Sequence, residues 1–582
     1  MRIGIFNIEL IYGKKNNFSN LIKTIVLCVA LLITFARLFI QMRLPDMIAA
    51  DQTVDDALMQ GLAMHLYSGE YLGEYGEFTL CKDYAYSLML ALCYKLLIPY
   101  SLFLSVLNIG SAFAFCQSVK KYVSFFPRVV IYTLLIYSPV TFSDLTALRI
   151  YRNSVIPYMT LFVFAGFIAF FLYKDEKSIK KLIPWAILEC ICLPIFWYIK
   201  EDSLWILPFL AVITLISCGY VFAKDKSRGL KKVIVYFCPF FALVLVSVVV
   251  MTINYCNYGI FTTNDRSHTE AGKTYSNILS VEDTSEHQDC VWVSQETLDK
   301  IAQVSPSFAI INSKMKESDV YTENGEVAGD FYIWKIRHIM KELGLYDDAK
   351  KANEFYKNIN QEMNDAFENG LLPEDELIHL SGQMKGLTID EICSFVPKSI
   401  TNLYDVSVYK RLILQLMPSS GSMKDITTQQ VLLGSNTFLG NNESYYWQSQ
   451  ARGFQCHLAD RINEGIKVYQ NAGLIIDILA LVCFGIYTIC MIYNIIKRNY
   501  SYLNMFVVLC GIILSAFVVS LEVELFMSWF EESMYESFIA FYSVAMYPLI
   551  STFKYLSIVL GIKATIEMVR NRRTKTNNNF YS

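Results

Sequence analysis

Along the chain, long apolar runs alternate with short charged connections. The first run, from about Leu21 to Ile40, is long enough to cross roughly 30 Å of hydrocarbon at 1.5 Å rise per residue. Comparable runs at 100–118, 129–147, 154–173, 182–199, 203–221, 233–255, 472–496, 503–521 and 540–565 predict an α-helical polytopic membrane protein with about ten spans. No small-residue cleavage pattern follows the first run, so it reads as a retained anchor rather than a signal peptide.

Between about residues 257 and 470 no apolar run reaches spanning length. This predicts three parts: an N-terminal transmembrane module (1–256) with a long first loop (43–99), a mainly helical domain outside the membrane (257–470), and a C-terminal transmembrane part (471–582). Inside the domain, Phe331, Trp334, Ile336, Met340 and Leu343 recur mostly at three- and four-residue steps, with Gly344 near the stop. A second helix is expected from Asp347 to Phe367, and a third around Tyr445 to Tyr469 running on into the eighth span. The aromatic stripes of these helices read first as core packing.

The connections alternate in charge, which sets an expected orientation. Lys120, Lys121 and Arg128 occupy one, Lys174, Lys177, Lys180 and Lys181 another, and Lys497, Arg498, Arg570, Arg572 and Arg573 fall on the same side, which is therefore assigned to the cytoplasm together with both termini. The opposite side collects Asp46, Asp51, Asp55, Asp56, Glu70, Glu74 and Glu77 in the first loop. Location in a plasma membrane of bacterial type is the matching expectation.

Composition agrees with lipid as the solvent, since 54% of the 582 residues are hydrophobic and only 18% charged. A net charge of −3 gives no global basic surface, so a nucleic-acid partner is not expected. Most of the fifteen cysteines fall in apolar runs and read as small buried hydrophobes. Only Cys81, Cys290, Cys393 and Cys456 lie in polar regions, where a disulfide is open but paired C-x-x-C motifs for zinc are missing. The six histidines form no metal motif.

The first loop carries the most specific pattern. It reads DDALMQGLAMHLYSGEYLGEY and then TLCKDYAYSLMLAL, placing two adjacent carboxylates, a helical stretch, a glycine turn and a lysine before the second span. This resembles the GT-C superfamily of glycosyltransferases, in particular the aminoarabinose transferases and protein mannosyltransferases. In those families an acidic pair follows the first span, an alanine recurs in the next helix, and a lysine introduces a juxtamembrane helix. The resemblance puts Asp55 on the catalytic aspartate, Asp56 on the acid after it, Ala63 on the alanine and Lys82 on a lysine near the lipid phosphate. It departs at Asp83 and Tyr84, where the family usually has prolines, so Asp83 is a competing partner for Lys82. It covers about the first 120 residues well and the rest only in architecture.

What the resemblance implies is transfer of a sugar from a polyprenyl-phosphate donor to a cell-envelope glycan, lipid or protein. Such a transfer needs a base near the attacking hydroxyl and cations near the departing phosphate. Neighbouring residues on a helix point about 100° apart, so Asp55 and Asp56 are not a nucleophile–acid pair, and a single inverting displacement with Asp55 as base is the expected route. Asp56 then supports Asp55 or accompanies a divalent metal, the one cofactor left open. Asp51 is near enough to replace Asp55. Arg149 and Arg152, at the end of the third span, can grip a phosphate bidentately or simply anchor that span at the interface. The plain alternative for Asp55 and Asp56 is a pair of solvated acids capping a helix.

Glu189, Asp477 and Lys554 fall inside expected spans, where a charge costs on the order of 3 kcal/mol, so they should face other helices or a cavity. Such residues also suit a transporter, the main rival function, although no inverted repeat is visible. A noncatalytic scaffold for envelope assembly is the third.

Overall fold

The computed structural model describes residues 15–224, 226–286, 288, 290–317, 325–437, 446–530 and 532–580. In chain order the first helices are α1 (Lys15–Gln41), α2 (Asp56–Ser68), α3 (Ala85–Leu96), α4 (Tyr100–Ser118), α5 (Phe125–Ile136), α6 (Ile156–Leu172) and α7 (Ile183–Trp197). They are followed by α8 (Leu207–Lys224), α9 (Lys226–Tyr258), α10 (Asp265–His268), α11 (Glu270–Leu279), α12 (Gln295–Val304), α13 (Pro306–Glu317) and α14 (Phe331–Glu342). The remainder are α15 (Ala349–Glu368), α16 (Ile389–Ser407), α17 (Met423–Leu433), α18 (Tyr446–Ile496), α19 (Leu503–Phe526), α20 (Glu532–Tyr542) and α21 (Met546–Phe580).

Among the described residues, eight helical stretches are long and apolar enough to cross a membrane: Asn20–Gln41, Tyr100–Ser118, Phe125–Phe142, Ser203–Lys224, Gly229–Tyr258, Gly453–Ile496, Leu503–Trp529 and Met534–Arg570. Apolar side chains on α1, α9 and α18 point away from the protein, with Leu32 and Ile475 each 70% exposed. Water would make such surfaces adhesive, whereas lipid makes them neutral.

Each of the ten expected spans coincides with helix, but two are shorter than spanning length. Helix α6 has 17 residues and α7 has 15, about 25 Å and 22 Å of rise, against roughly 30 Å of hydrocarbon. Helix α6 is apolar on every side because protein surrounds it, with α4, α7, α8 and α21 packed against it. An all-round apolar helix reads the same in sequence whether its neighbours are lipid or protein. The third span is displaced toward the N-terminus, since the α-helix ends at Ile136 and Ser138 is extended before Pro139, whose ring disfavours a helical residue ahead of it.

The region expected to form one inserted domain divides into two. Residues of α11 to α15 enclose a core of their own, including Tyr275, Trp292, Phe308, Ile336 and Ile359. Helices α16 and α17 instead contribute Val406, Ile426 and Leu433 to the core of the long apolar helices. Within the first part, α14 ends before Gly344, which takes a left-handed φ of +66°, and α15 starts where the Asp348 side chain accepts from the Lys351 amide. The indole of Trp529, just after α19, enters this small core and lies 5.9 Å from the ring of Trp292 and 5.5 Å from Phe331.

Candidate functional site

The backbone of the first loop threads between two other segments, and this brings the charged residues together. The Met47 amide donates to Leu148 O and the Ile150 amide to Met47 O, which fixes Arg149 beside the start of α2. On its other side the loop exchanges hydrogen bonds with Ser420 through Ile48 and Ala50. Residues 46–50 are thus held in extended form without belonging to a sheet, and Asp55 and Asp56 follow directly.

Asp55 precedes α2 but does not cap it, for its side chain makes no hydrogen bond to the helix amides. Its Oδ1 accepts instead from Lys82 Nζ at 2.5 Å and from the Tyr151 hydroxyl at 2.8 Å. The Lys82 side chain is only 5% exposed and that of Asp55 38%, so the lysine lies behind a carboxylate that solvent can reach. Burial by itself would raise the Asp55 carboxyl, but Lys82, Arg152 and the Tyr151 hydroxyl outweigh it and hold it at about 2.

Asp56 is arranged differently. Its carboxylate is fully buried and bound at both oxygens by Arg149, Nε to Oδ1 at 2.9 Å and a terminal nitrogen to Oδ2 at 2.5 Å. Burial pushes its carboxyl up while Arg149 works against that. Arg152 is bound by both oxygens of Glu201 at 3.0 and 2.8 Å and donates through Nε to the Tyr151 hydroxyl at 3.0 Å. Glu201 in turn accepts from the Asp83 amide at 2.9 Å. Burial would raise Glu201, yet Arg152 and Arg266 hold it down to about 2, whereas burial next to Glu201 pushes Asp83 well up. The ion-pair partner of Lys82 is thus Asp55 and not Asp83.

The small helical domain closes onto the same place. The Asp265 amide donates to Leu80 O, Asn264 Nδ2 donates to Cys81 O, and Arg337 donates to Glu77 O while pairing with Asp265 at 2.9 Å. These bonds seat Arg266 and Trp334 beside Lys82: the lysine nitrogen lies 5.6 Å from the Trp334 ring centroid, and the Arg266 guanidinium 5.2 Å from the same centroid. Asp330 lies close enough for Arg266 and Lys82 to act on its charge, and burial raises its carboxyl.

The structure brings together all five residues singled out from sequence, namely Asp55, Asp56, Lys82, Arg149 and Arg152. Lys82 meets Asp55 directly instead of facing it across an open cavity, and Arg149 and Arg152 each hold a carboxylate. Ala63 is buried in the core against which α2 packs, and Asp51, apart from the cluster, accepts from the Ser420 hydroxyl at 2.5 Å. Tyr151, Glu201, Arg266, Asp330 and Trp334 complete the constellation. Glu201 lies in the short connection between α7 and α8, and Arg266 and Trp334 lie in a region with no motif, where only the docking of the domain shows their place. All fifteen cysteines are free thiols, and among the described residues no cluster of three or more His, Cys, Asp or Glu is arranged to hold a metal.

Fold and site together define an α-helical membrane protein with a buried network of ion pairs where its first loop meets an inserted helical domain. Comparison with protein-family profiles, curated proteins and solved structures finds no match to this chain.

Proposed function

We propose that the protein is a membrane glycosyltransferase that moves a sugar from a polyprenyl-phosphate donor to a cell-envelope acceptor on the outer face of the membrane. The observation that carries this reading is the contact between solvent-reachable Asp55 and buried Lys82, set between two short helices, α2 and α3, that lie between the first two long apolar helices. This is the order of parts that the resemblance of the first loop to GT-C enzymes implies.

In this reading the resting pair is poised rather than active. A carboxylate held at about 2 is ionised but accepts protons weakly. A donor phosphate that drew Lys82 toward itself would remove the main cation acting on Asp55 and strengthen it as a base, so base strength would follow donor occupancy. The acceptor oxygen then bonds to the anomeric carbon, the bond from that carbon to the phosphate oxygen breaks with its electron pair, and the hydroxyl proton passes to Asp55. Inversion follows from a single displacement. Asp56 and Arg149 support the start of α2 from behind.

Purified protein given lipid-linked sugars and envelope acceptors should transfer sugar. Asp55→Asn should lower the rate by about a hundredfold or more in a protein that still folds, as a cooperative melting transition would show. Wild-type turnover in that variant would remove Asp55 as the base. Substrate uptake into proteoliposomes without any transfer would favour the transporter instead.

A further inference from the structure

We infer that Arg266 of the inserted domain and Lys82 of the first loop, both lying against the indole of Trp334, form a two-cation clamp for a phosphate group. The inference rests on the glycosyltransferase reading only for the identity of the molecule that carries the phosphate.

Four cations surround the site, and their engagements differ. Arg149 is held at both oxygens of Asp56, Arg152 at both oxygens of Glu201, and Lys82 by one oxygen of Asp55. The Arg266 side chain makes no hydrogen bond or ion pair with the described residues, and its Nε is buried without an acceptor. A buried donor with no acceptor is costly, and a guanidinium presents a planar fork matched to phosphate oxygens.

Its backbone is fixed where such a fork would be useful. The Arg266 amide donates to Asn264 Oδ1 at 2.9 Å and its carbonyl accepts from Gln383 Nε2 at 3.0 Å, while Asn264 and Asp265 are bonded to Cys81 and Leu80 of the first loop. From that rigid corner the side chain reaches the Trp334 ring, which Lys82 also approaches. The ion pairs point the same way. Asp55 is paired with Lys82, Asp56 with Arg149 and Glu201 with Arg152, so Arg266 is the one of the four cations that holds no carboxylate among the described residues.

A phosphate seated there would bond two elements far apart in sequence, so the inserted domain would be a wall of the donor site and not an appendage. It would also supply the pull on Lys82 that frees Asp55.

The test is binding, measured by calorimetry on the full chain in phosphatidylcholine nanodiscs, with no sugar and no turnover required. Three probes separate the sources of phosphate: a prenyl phosphate, the matching prenyl alcohol and inorganic phosphate. The prenyl phosphate should bind and the alcohol should not, and inorganic phosphate should compete if the clamp reads the phosphate alone. Arg266→Gln should weaken prenyl-phosphate binding by about ten- to a hundredfold, as expected for charge-assisted hydrogen bonds. Arg266→Lys should recover part of the loss, and it carries the comparison if the glutamine variant fails to fold. Lys300→Gln, on the surface of α12, should bind as the parent does.

Equal affinity of the parent and Arg266→Gln, or binding of the alcohol as tightly as of the phosphate, overturns the clamp. So does failure of the parent to bind either phosphate. Arg266-dependent binding without transfer to any acceptor would leave the clamp standing and overturn the glycosyltransferase reading. Transfer that needs Asp55 but binds donor equally well in Arg266→Gln would do the reverse.

Discussion

Asp46 shows how far burial alone can move a carboxyl in this protein. It stands in the first loop, 3% exposed, with its amide bonded to Asn436 O. Burial raises its carboxyl from 3.8 to about 7, against the pull of the Ser435 hydroxyl. The folded chain therefore keeps a proton that the unfolded chain gives up, and stability falls as pH rises from about 4 to about 7, by at most about 4 kcal/mol. Asp46→Asn should abolish this part of the pH dependence, melting above the parent at pH 8 and together with it at pH 4. Parallel melting curves for the two proteins across that range would show that Asp46 ionises normally.

Among elements, Trp529 and the small helical domain make a closely confined contact. Gly329 has a left-handed φ of +48°, and a Cβ placed there would lie 2.2 Å from the Trp529 ring. Backbone conformation and space both call for glycine at this point. Gly329→Ala should cost about 1–3 kcal/mol by overpacking, and limited proteolysis should cut the domain of α11 to α15 sooner than in the parent. Unchanged cleavage would mean that the indole can move aside. Sequence periodicity disclosed α14 and α15 but no partner for them, because a tryptophan about two hundred positions away bears no mark of where it packs. The same holds for the site. Asp55, Asp56 and Lys82 were legible through the spacing within one loop, whereas Arg266 and Trp334 join them through hydrogen bonds from the Asn264 side chain and the Asp265 amide to the carbonyls of residues 81 and 80, and a carbonyl acceptor carries no sequence signature. Expected spans were legible wherever lipid or protein rewards the same apolar residues, and for that reason α6 and α7 were read as longer than they are.

At the scale of the whole molecule, a buried ion pair between two C-terminal helices also ties them to the inserted region. Lys554 of α21 and Asp477 of α18 meet at 2.9 Å, with side chains 5% and 13% exposed. Ser407, at the end of α16, donates its hydroxyl to Asp477 and gives its carbonyl to Lys554. The charges expected to face other helices thus do so, and they tie α16 to two long apolar helices. Removing one partner leaves the other charge buried, so Lys554→Met should destabilise by about 3–5 kcal/mol, while changing Lys554 and Asp477 together to leucine should restore most of the loss. Equal destabilisation of single and double variants, read by fluorescence-detected melting, would show that packing and not charge makes the connection. Glu189, the third such residue, is buried against Gly166, where an added Cβ would meet its Oε1 at 1.9 Å.

Helix α18 has a mechanical consequence. Its 51 residues run without a break from Tyr446 to Ile496, which at 1.5 Å each is about 75 Å, more than twice the roughly 30 Å hydrocarbon layer. Asn463 and Gln470 bond it to the backbone at Leu414, Tyr409 and Leu412, so its middle is braced. The helix is a mast stepped in the bilayer and stayed at mid-height. A mast transmits tilt: rocking of its foot by a thinner or thicker bilayer would sweep its far end through an arc and carry the stayed segment with it.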